Sequence, residues 1–236
     1  NGVRARDPRK ERAIRAKALD TIVRHGFDGL SMQKLAKEVG VSPATIYIYF
    51  EDRDDLILSL YREESRKMAE ATLAGFDPGA SFAVGLRVQW KNRARYCLEN
   101  PREAHFLEQI RHSPFHSHDE PGKGRDFIEA MRTFCRGAIG RGELVRVPVE
   151  VYWSVAFAPL YQLLKFHLHG RGLSGTPRFV LDEKLMDQTL DLVVRALTPP
   201  AGPARARPAA RIVSPSRSAT VSPTRSSKHP DKKAIS

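Results

Sequence analysis

A chain of 236 residues with 39 Lys and Arg against 27 Asp and Glu carries a formal charge of +12 and a pI near 10.0. Its length allows one large domain or a small one joined to a medium one, and its charge favours a polyanionic partner. Two cysteines, Cys97 and Cys135, far apart in helical segments, fit reduced buried thiols better than a disulfide framework.

The charge is unevenly spread. Residues 201 to 236 hold eight basic residues (Arg205, Arg207, Arg211, Arg217, Arg225, Lys228, Lys232 and Lys233) against the single acid Asp231. Residues 1 to 50 hold ten basic residues against five acids, which leaves the middle of the chain neutral.

In chain order, Ile14, Ala18 and Ile22, with Leu19 beside them, predict an amphipathic helix over Pro8 to His25, ended by Gly26. Ser31 is placed to cap a short second helix with Met32, Leu35, Ala36 and Val39 inward and Gly40 at its end. Ser42 caps a third, with Pro43 at the first position, where a missing N–H costs nothing. Asp52, followed by Asp54 and Asp55, opens a long fourth helix through Leu56, Leu60, Tyr61 and Met68.

Five further helices are expected near Ala80 to Glu99, Arg102 to His112, Arg125 to Gly140, Val149 to His169 and Asp182 to Leu197. They are separated by the turn sequences Asp77-Pro78-Gly79, Asn100-Pro101, Ser113-Pro114, Glu120-Pro121-Gly122 and Gly170 to Pro177. No strand-period segment of useful length is present, so the fold class is all-α. Beyond Thr198 the composition shifts to Pro, Ala, Ser and Arg, and a disordered basic tail over 199 to 236 is expected. Within it, Ser214-Pro215-Ser216-Arg217 and Ser222-Pro223-Thr224-Arg225 repeat a turn-plus-arginine unit suited to a narrow minor groove.

The layout from Ser31 to Phe50, short helix, glycine turn and second helix, is that of a helix-turn-helix, whose second helix offers its first turn to a major groove. The run Gly26-Phe27, Ser31, Leu35-Ala36, Gly40-Val41-Ser42, Thr45-Ile46-Tyr47, Tyr49-Phe50 and Asp52-Arg53-Asp54-Asp55-Leu56 resembles the DNA-binding domain of the tetracycline-repressor (TetR) regulators. The resemblance covers Glu11 to Leu56.

It implies a three-helix DNA-binding domain over 8 to 56, then a helical ligand-binding and dimerisation domain over 57 to 198. On DNA it implies base-edge or phosphate contacts by Thr45 and Tyr47, close approach or a thymine-methyl contact by Ala44, and an adenine contact by Gln33, with Pro43 also among the DNA-binding residues. Ser31, Ser42, Tyr49 and Arg53 are implied to touch phosphates, Arg53 standing where the family usually has lysine. The expected partners are a palindromic double-stranded DNA operator, a small-molecule effector and a second copy of the chain. The expected action is repression relieved by the effector.

For the effector, Trp90, Phe106, Phe115, Phe134 and Tyr161 are candidate linings. For the homodimer, Trp153, Phe157, Leu160, Leu164, Leu192 and Val193 are the candidate interface residues, on helices with apolar residues over wide faces.

Other classes are less well served. His116-Ser117-His118, with Asp119 and Glu120 nearby, and His167-Leu168-His169 are weak metal candidates, since residues two apart on a helix point to different sides. No nucleophile motif or phosphate loop is found, so neither an enzyme nor a cofactor or metal is expected. The longest apolar run, Val151 to Leu164, is too short for a bilayer, and no secretory-type segment opens the sequence; a cytosolic protein without membrane contact is expected. The alternative function is a sequence-nonspecific architectural protein anchored on DNA by its basic tail.

Overall fold

The computed structural model describes residues 6 to 118, 124 to 173 and 178 to 200, and by its internal contacts the chain divides into residues 1–200 and 201–236. The first unit is all-helical in the described residues. The tail, with its Ser-Pro-Ser-Arg and Ser-Pro-Thr-Arg repeat, lies outside them.

Helix α1 (Pro8–His25) starts at Asp7, whose carboxylate accepts from the Arg9 N–H, and buries Ile14, Ala18, Leu19 and Ile22. A 3-10 turn over Phe27–Gly29 leads to α2 (Met32–Val39). Gly40, at φ +73°, adopts the left-handed conformation that lets the chain reverse, with the Val41 N–H returning to the Ala36 carbonyl. Helix α3 (Pro43–Ile46) is one turn long, and α4 (Arg53–Leu73) begins where Asp52 accepts from the Asp55 N–H at 2.8 Å. Ile14, Ile22, Leu35, Ile46, Phe50 and Leu56 fill the space between α1, α2, α3 and the start of α4.

The remaining helices are α5 (Phe82–Glu99), α6 (Pro101–Arg111), α7 (Arg125–Gly140), α8 (Val149–Ala156), α9 (Ala158–His169) and α10 (Glu183–Leu197). Helix α5 is central and packs on α4, α6, α7, α9 and α10. Its buried Asn92 donates to the Thr72 and Ala74 carbonyls, closing the C-terminus of α4. On its outer side Arg87 pairs with Asp187 and Asp191, and Lys91 with Glu183, tying α5 to α10.

The single helix expected from Val149 to His169 is two. It breaks at Phe157 (φ −126°, ψ −26°), because Pro159 has no N–H for the Val155 carbonyl and its ring would clash there. The Ala156 carbonyl at the break accepts the Trp90 indole N–H at 2.8 Å.

The break also changes which apolar residues are available to a second subunit. Phe157, Leu160, Leu164 and Val193, expected at a dimer interface, are buried within the chain, where α9 packs on α5 and α8, and α10 packs on α5 and α8. Of the six residues expected there, Trp153 and Leu192 remain exposed, Leu192 by 59 %.

Candidate nucleic-acid interface

Helix α3 reaches the surface because its inward side is spent on Ile46. Ser42, Pro43, Ala44 and Tyr47 are exposed, Tyr47 by 53 %, and Thr45 is half-buried. The Ser42 hydroxyl accepts from the Thr45 N–H at 3.2 Å and lies 2.9 Å from the Thr45 hydroxyl, so the first turn is capped from within and rigid. Tyr47 follows it with its ring free. Ser31 occupies the cap position of α2 in extended conformation and makes no capping bond with its side chain, while Gln33 is exposed on the first turn.

Tyr49 and Arg53 have other engagements. The Tyr49 hydroxyl accepts from the Asp7 N–H at 2.9 Å and donates to the Asp7 carbonyl at 3.3 Å, which pins the start of α1 to the end of the reading segment. Arg53 donates through Nε to the Leu30 carbonyl at 3.1 Å and through a terminal nitrogen to the Phe27 carbonyl. Another terminal nitrogen pairs with Asp54. Arg53 thus holds the α1–α2 connection against α4. A lysine carries its three N–H donors on one nitrogen and lacks the spread of the guanidinium fork, so Arg53→Lys should lose part of this bonding and about 1–2 kcal/mol of stability, read as a lower denaturant midpoint. A drop in the salt dependence of DNA binding with no change in midpoint would instead mark a phosphate contact.

The sequence pattern missed two groups that share this surface. Lys34 and Lys37, exposed on α2, stand beside Gln33 at helical spacing, and Arg6 donates from Nε to the Ile48 carbonyl at 3.1 Å. The spacing of Gln33, Lys34 and Lys37 was sufficient to find the first pair; the Arg6 contact depends on tertiary approach.

A cavity of about 500 Å³ lies in the same unit, bordered by Val23 of α1, Met68 of α4, Cys97 of α5, residues of α6 from Arg102 to Arg111, and Trp153, Tyr161, Leu164 and Leu168. Of the five aromatics expected to line a pocket, Tyr161 does so, and Phe115 borders a neighbouring hollow beside Phe27. Trp90, Phe106 and Phe134 are wholly buried in the core, where a large rim-less side chain with no exposed edge serves packing. Burial pushes the Cys97 thiol up to about 11, which keeps it protonated and inert at neutral pH.

The histidines are engaged singly. His116 Nδ1 lies 3.2 Å from the Tyr61 hydroxyl, His167 Nδ1 accepts from the Leu181 N–H, and His169 Nδ1 lies 2.7 Å from the Lys165 carbonyl. Among the described residues no group of three or more His, Cys, Asp or Glu is placed to hold a metal ion; Asp119 and Glu120 lie outside them. No helix among the described residues is long and apolar enough to cross a membrane.

These features define a helix-turn-helix head on an all-helical body that contains a cavity. Residues 14–60 match the family model of bacterial regulatory proteins, tetR family. An uncharacterized HTH-type transcriptional regulator of Haemophilus influenzae is 38% identical over 94 residues, covering 39% of this chain and 50% of that protein. The HTH-type transcriptional regulator RutR of Escherichia coli is 20% identical over 190 residues, 80% of this chain and 88% of that one. A solved TetR family transcription regulator from Marinobacter aquaeolei superposes with a TM-score of 0.63 at 28% identity, over 80% of this chain and 95% of that one. The match to the tetR family model is confined to residues 14–60, and the chain spans half the length of the Haemophilus influenzae relative.

Proposed function

We propose that this protein is a sequence-specific transcription regulator of the bacterial cytosol. In this reading it is a homodimer that represses from a palindromic operator and leaves the DNA when a small molecule enters its cavity. The observation that carries the reading is the exposed, internally capped first turn of α3, which packs on α2 with Leu35 and Ile46 both buried in the core.

Residues 8–56 act as the DNA-binding domain and 57–198 as the ligand-binding and dimerisation domain. Thr45, Tyr47 and Gln33 read base edges, Pro43 and Ala44 allow close approach, and Ser31 and Ser42 meet phosphates, with Lys34 and Lys37 adding charge. Tyr49 and Arg53 are positioning residues for this surface, through their bonds to Asp7, Leu30 and Phe27. Trp153 and Leu192 belong to the face that meets the second subunit, and the two heads then address major grooves roughly 34 Å apart.

The link from ligand to DNA is supported by proximity. The cavity is bordered by Val23, a residue of the first helix of the DNA-binding domain, and Gln109 of α6 donates to the Val23 carbonyl at 3.4 Å. A ligand that favours an arrangement with the heads displaced shifts the dimer toward it, and DNA affinity falls by linkage.

Removal of residues 201–236 separates this reading from the architectural one. The truncated protein should bind all DNA more weakly, with a shallower salt slope, and keep its preference for one sequence, measured by fluorescence anisotropy over a salt series. Loss of the preference with the tail would assign recognition to the tail and not to α3.

A further inference from the structure

We propose that the cavity takes a small organic anion, an apolar body bearing a carboxylate, recognised by Arg111 and by the Tyr161 hydroxyl with Arg93 behind it. The inference rests on the ligand-sensing reading above and names the chemistry of the ligand.

Arg93 is the first observation. It is 3 % exposed, and its guanidinium lies 4.4 Å from the centre of the Phe157 ring, 5.0 Å from Trp153 and 5.6 Å from Phe127. One of its terminal nitrogens donates to the Tyr161 hydroxyl at 2.8 Å; its Nε and other terminal nitrogen are buried without a partner. No carboxylate among the described residues pairs with it. Aromatic faces attract a cation but leave its charge uncompensated, and a buried cation is ordinarily paired. Gln89, one turn earlier on the same helix and fully buried, has both amide atoms unbonded as well.

Tyr161 transmits that charge to the cavity. Its oxygen accepts from Arg93, so its own proton is available to an acceptor on the cavity side, and the neighbouring guanidinium polarises it into a stronger donor. Arg111, which lines the cavity, lies 4.6 Å from the centre of the Tyr161 ring and forms no ion pair among the described residues. Two uncompensated guanidinium groups therefore flank one phenol.

The rest of the wall adds Arg102, which pairs with Asp20 and Glu103, the imidazoles of His105, His112 and His169, and Glu108, the single lining carboxylate, held by Lys165 at 2.8 Å. Burial pushes the Glu108 carboxyl up, but Lys165, with His105 and His169, outweighs it, so the group stays ionised and committed to its partner. Met68, Cys97, Leu107, Trp153, Leu164 and Leu168 supply the apolar remainder. A cationic end facing an apolar wall is complementary to an amphipathic anion and opposes a cation of the same shape.

The test is calorimetric titration of the full chain with decanoate and naphthoate, each beside its neutral alcohol, decanol and naphthalenemethanol, and with decylamine. At least one carboxylate should bind about tenfold more tightly than its alcohol, and decylamine should bind more weakly than either decyl compound. Arg111→Gln should reduce carboxylate affinity about tenfold with alcohol binding unchanged, and Tyr161→Phe should reduce carboxylate affinity about threefold and more than it reduces alcohol affinity; circular dichroism checks that both variants fold, since Tyr161→Phe removes the acceptor of the Arg93 bond. Equal binding of acid and alcohol, tighter binding of the amine, carboxylate binding insensitive to both variants, or no carboxylate binding would overturn the proposal. Anisotropy of the protein–DNA complex in the presence of the bound carboxylate keeps the two readings apart. Persistence of the complex would leave the anion site standing and contradict release by a ligand at that site.

Discussion

Replacing Tyr47 by alanine should lower affinity for the preferred DNA sequence by about tenfold to a hundredfold, while binding to unrelated DNA changes by less than about threefold. The ring is more than half exposed, follows directly on the capped turn of α3, and has no hydrogen-bonded duty within the protein to lose. Its removal therefore costs recognition and not folding, and the variant's thermal midpoint should match that of the parent. Competition anisotropy with specific and scrambled duplexes measures both affinities. A uniform loss on both would make Tyr47 a backbone contact, and no loss on either would remove it from the interface.

Gly85→Ala should destabilise the protein by about 2 kcal/mol, although alanine is the better helix former by about 1 kcal/mol. Gly85 is buried in α5, and a Cβ built on it falls 2.7 Å from Phe134 Cζ and closer still to Cε2. The ring has nowhere to retreat. It is fully buried, edge-on to Phe76 at 5.2 Å between centroids and stacked on Phe82 at 5.9 Å. Overpacking of this kind commonly costs about 1–3 kcal/mol or more, which exceeds the gain in propensity. Circular dichroism should show a thermal midpoint lower by roughly 5 °C. Adding Phe134→Leu should return part of the loss, because the two sites share one contact. An unchanged or raised midpoint would mean that α5 and α7 separate readily.

How much of this was legible in the sequence depended on how local each cause was. The helix-turn-helix was legible because its signals act over three or four residues: Ser42 with Pro43 at a helix start, Gly40 at a left-handed turn, Asp52 before a run of acids. The Asp182 cap of α10 acts over the same short range. The break at Phe157 was also announced locally, by Pro159, but a continuous apolar stripe argued for continuity.

What was not legible was tertiary. Periodicity tells which face of a helix is apolar, but not whether a second subunit, a ligand or the chain itself covers it. Leu160 and Leu164 were therefore expected at an interface, and Trp90 and Phe134 in a pocket, when all four are core. Tyr49 and Arg53 show the same limit for polar groups. Their bonds to Asp7, Phe27 and Leu30 join residues 23 to 42 positions apart, and nothing in the local pattern specifies them.

Arg93 and Gln89 were legible only as helical residues of ordinary polarity. Their burial comes from the convergence of α5, α8 and α9 on one point, visible in three dimensions alone.

The most direct test of the central claim is selection of bound fragments from a random duplex pool by the full chain at near-physiological salt. Recognition by paired α3 helices predicts a recurrent inverted repeat whose half-site centres lie about one helical turn or a multiple of it apart, lost on Tyr47→Ala. Tight binding without enrichment of any sequence would contradict it.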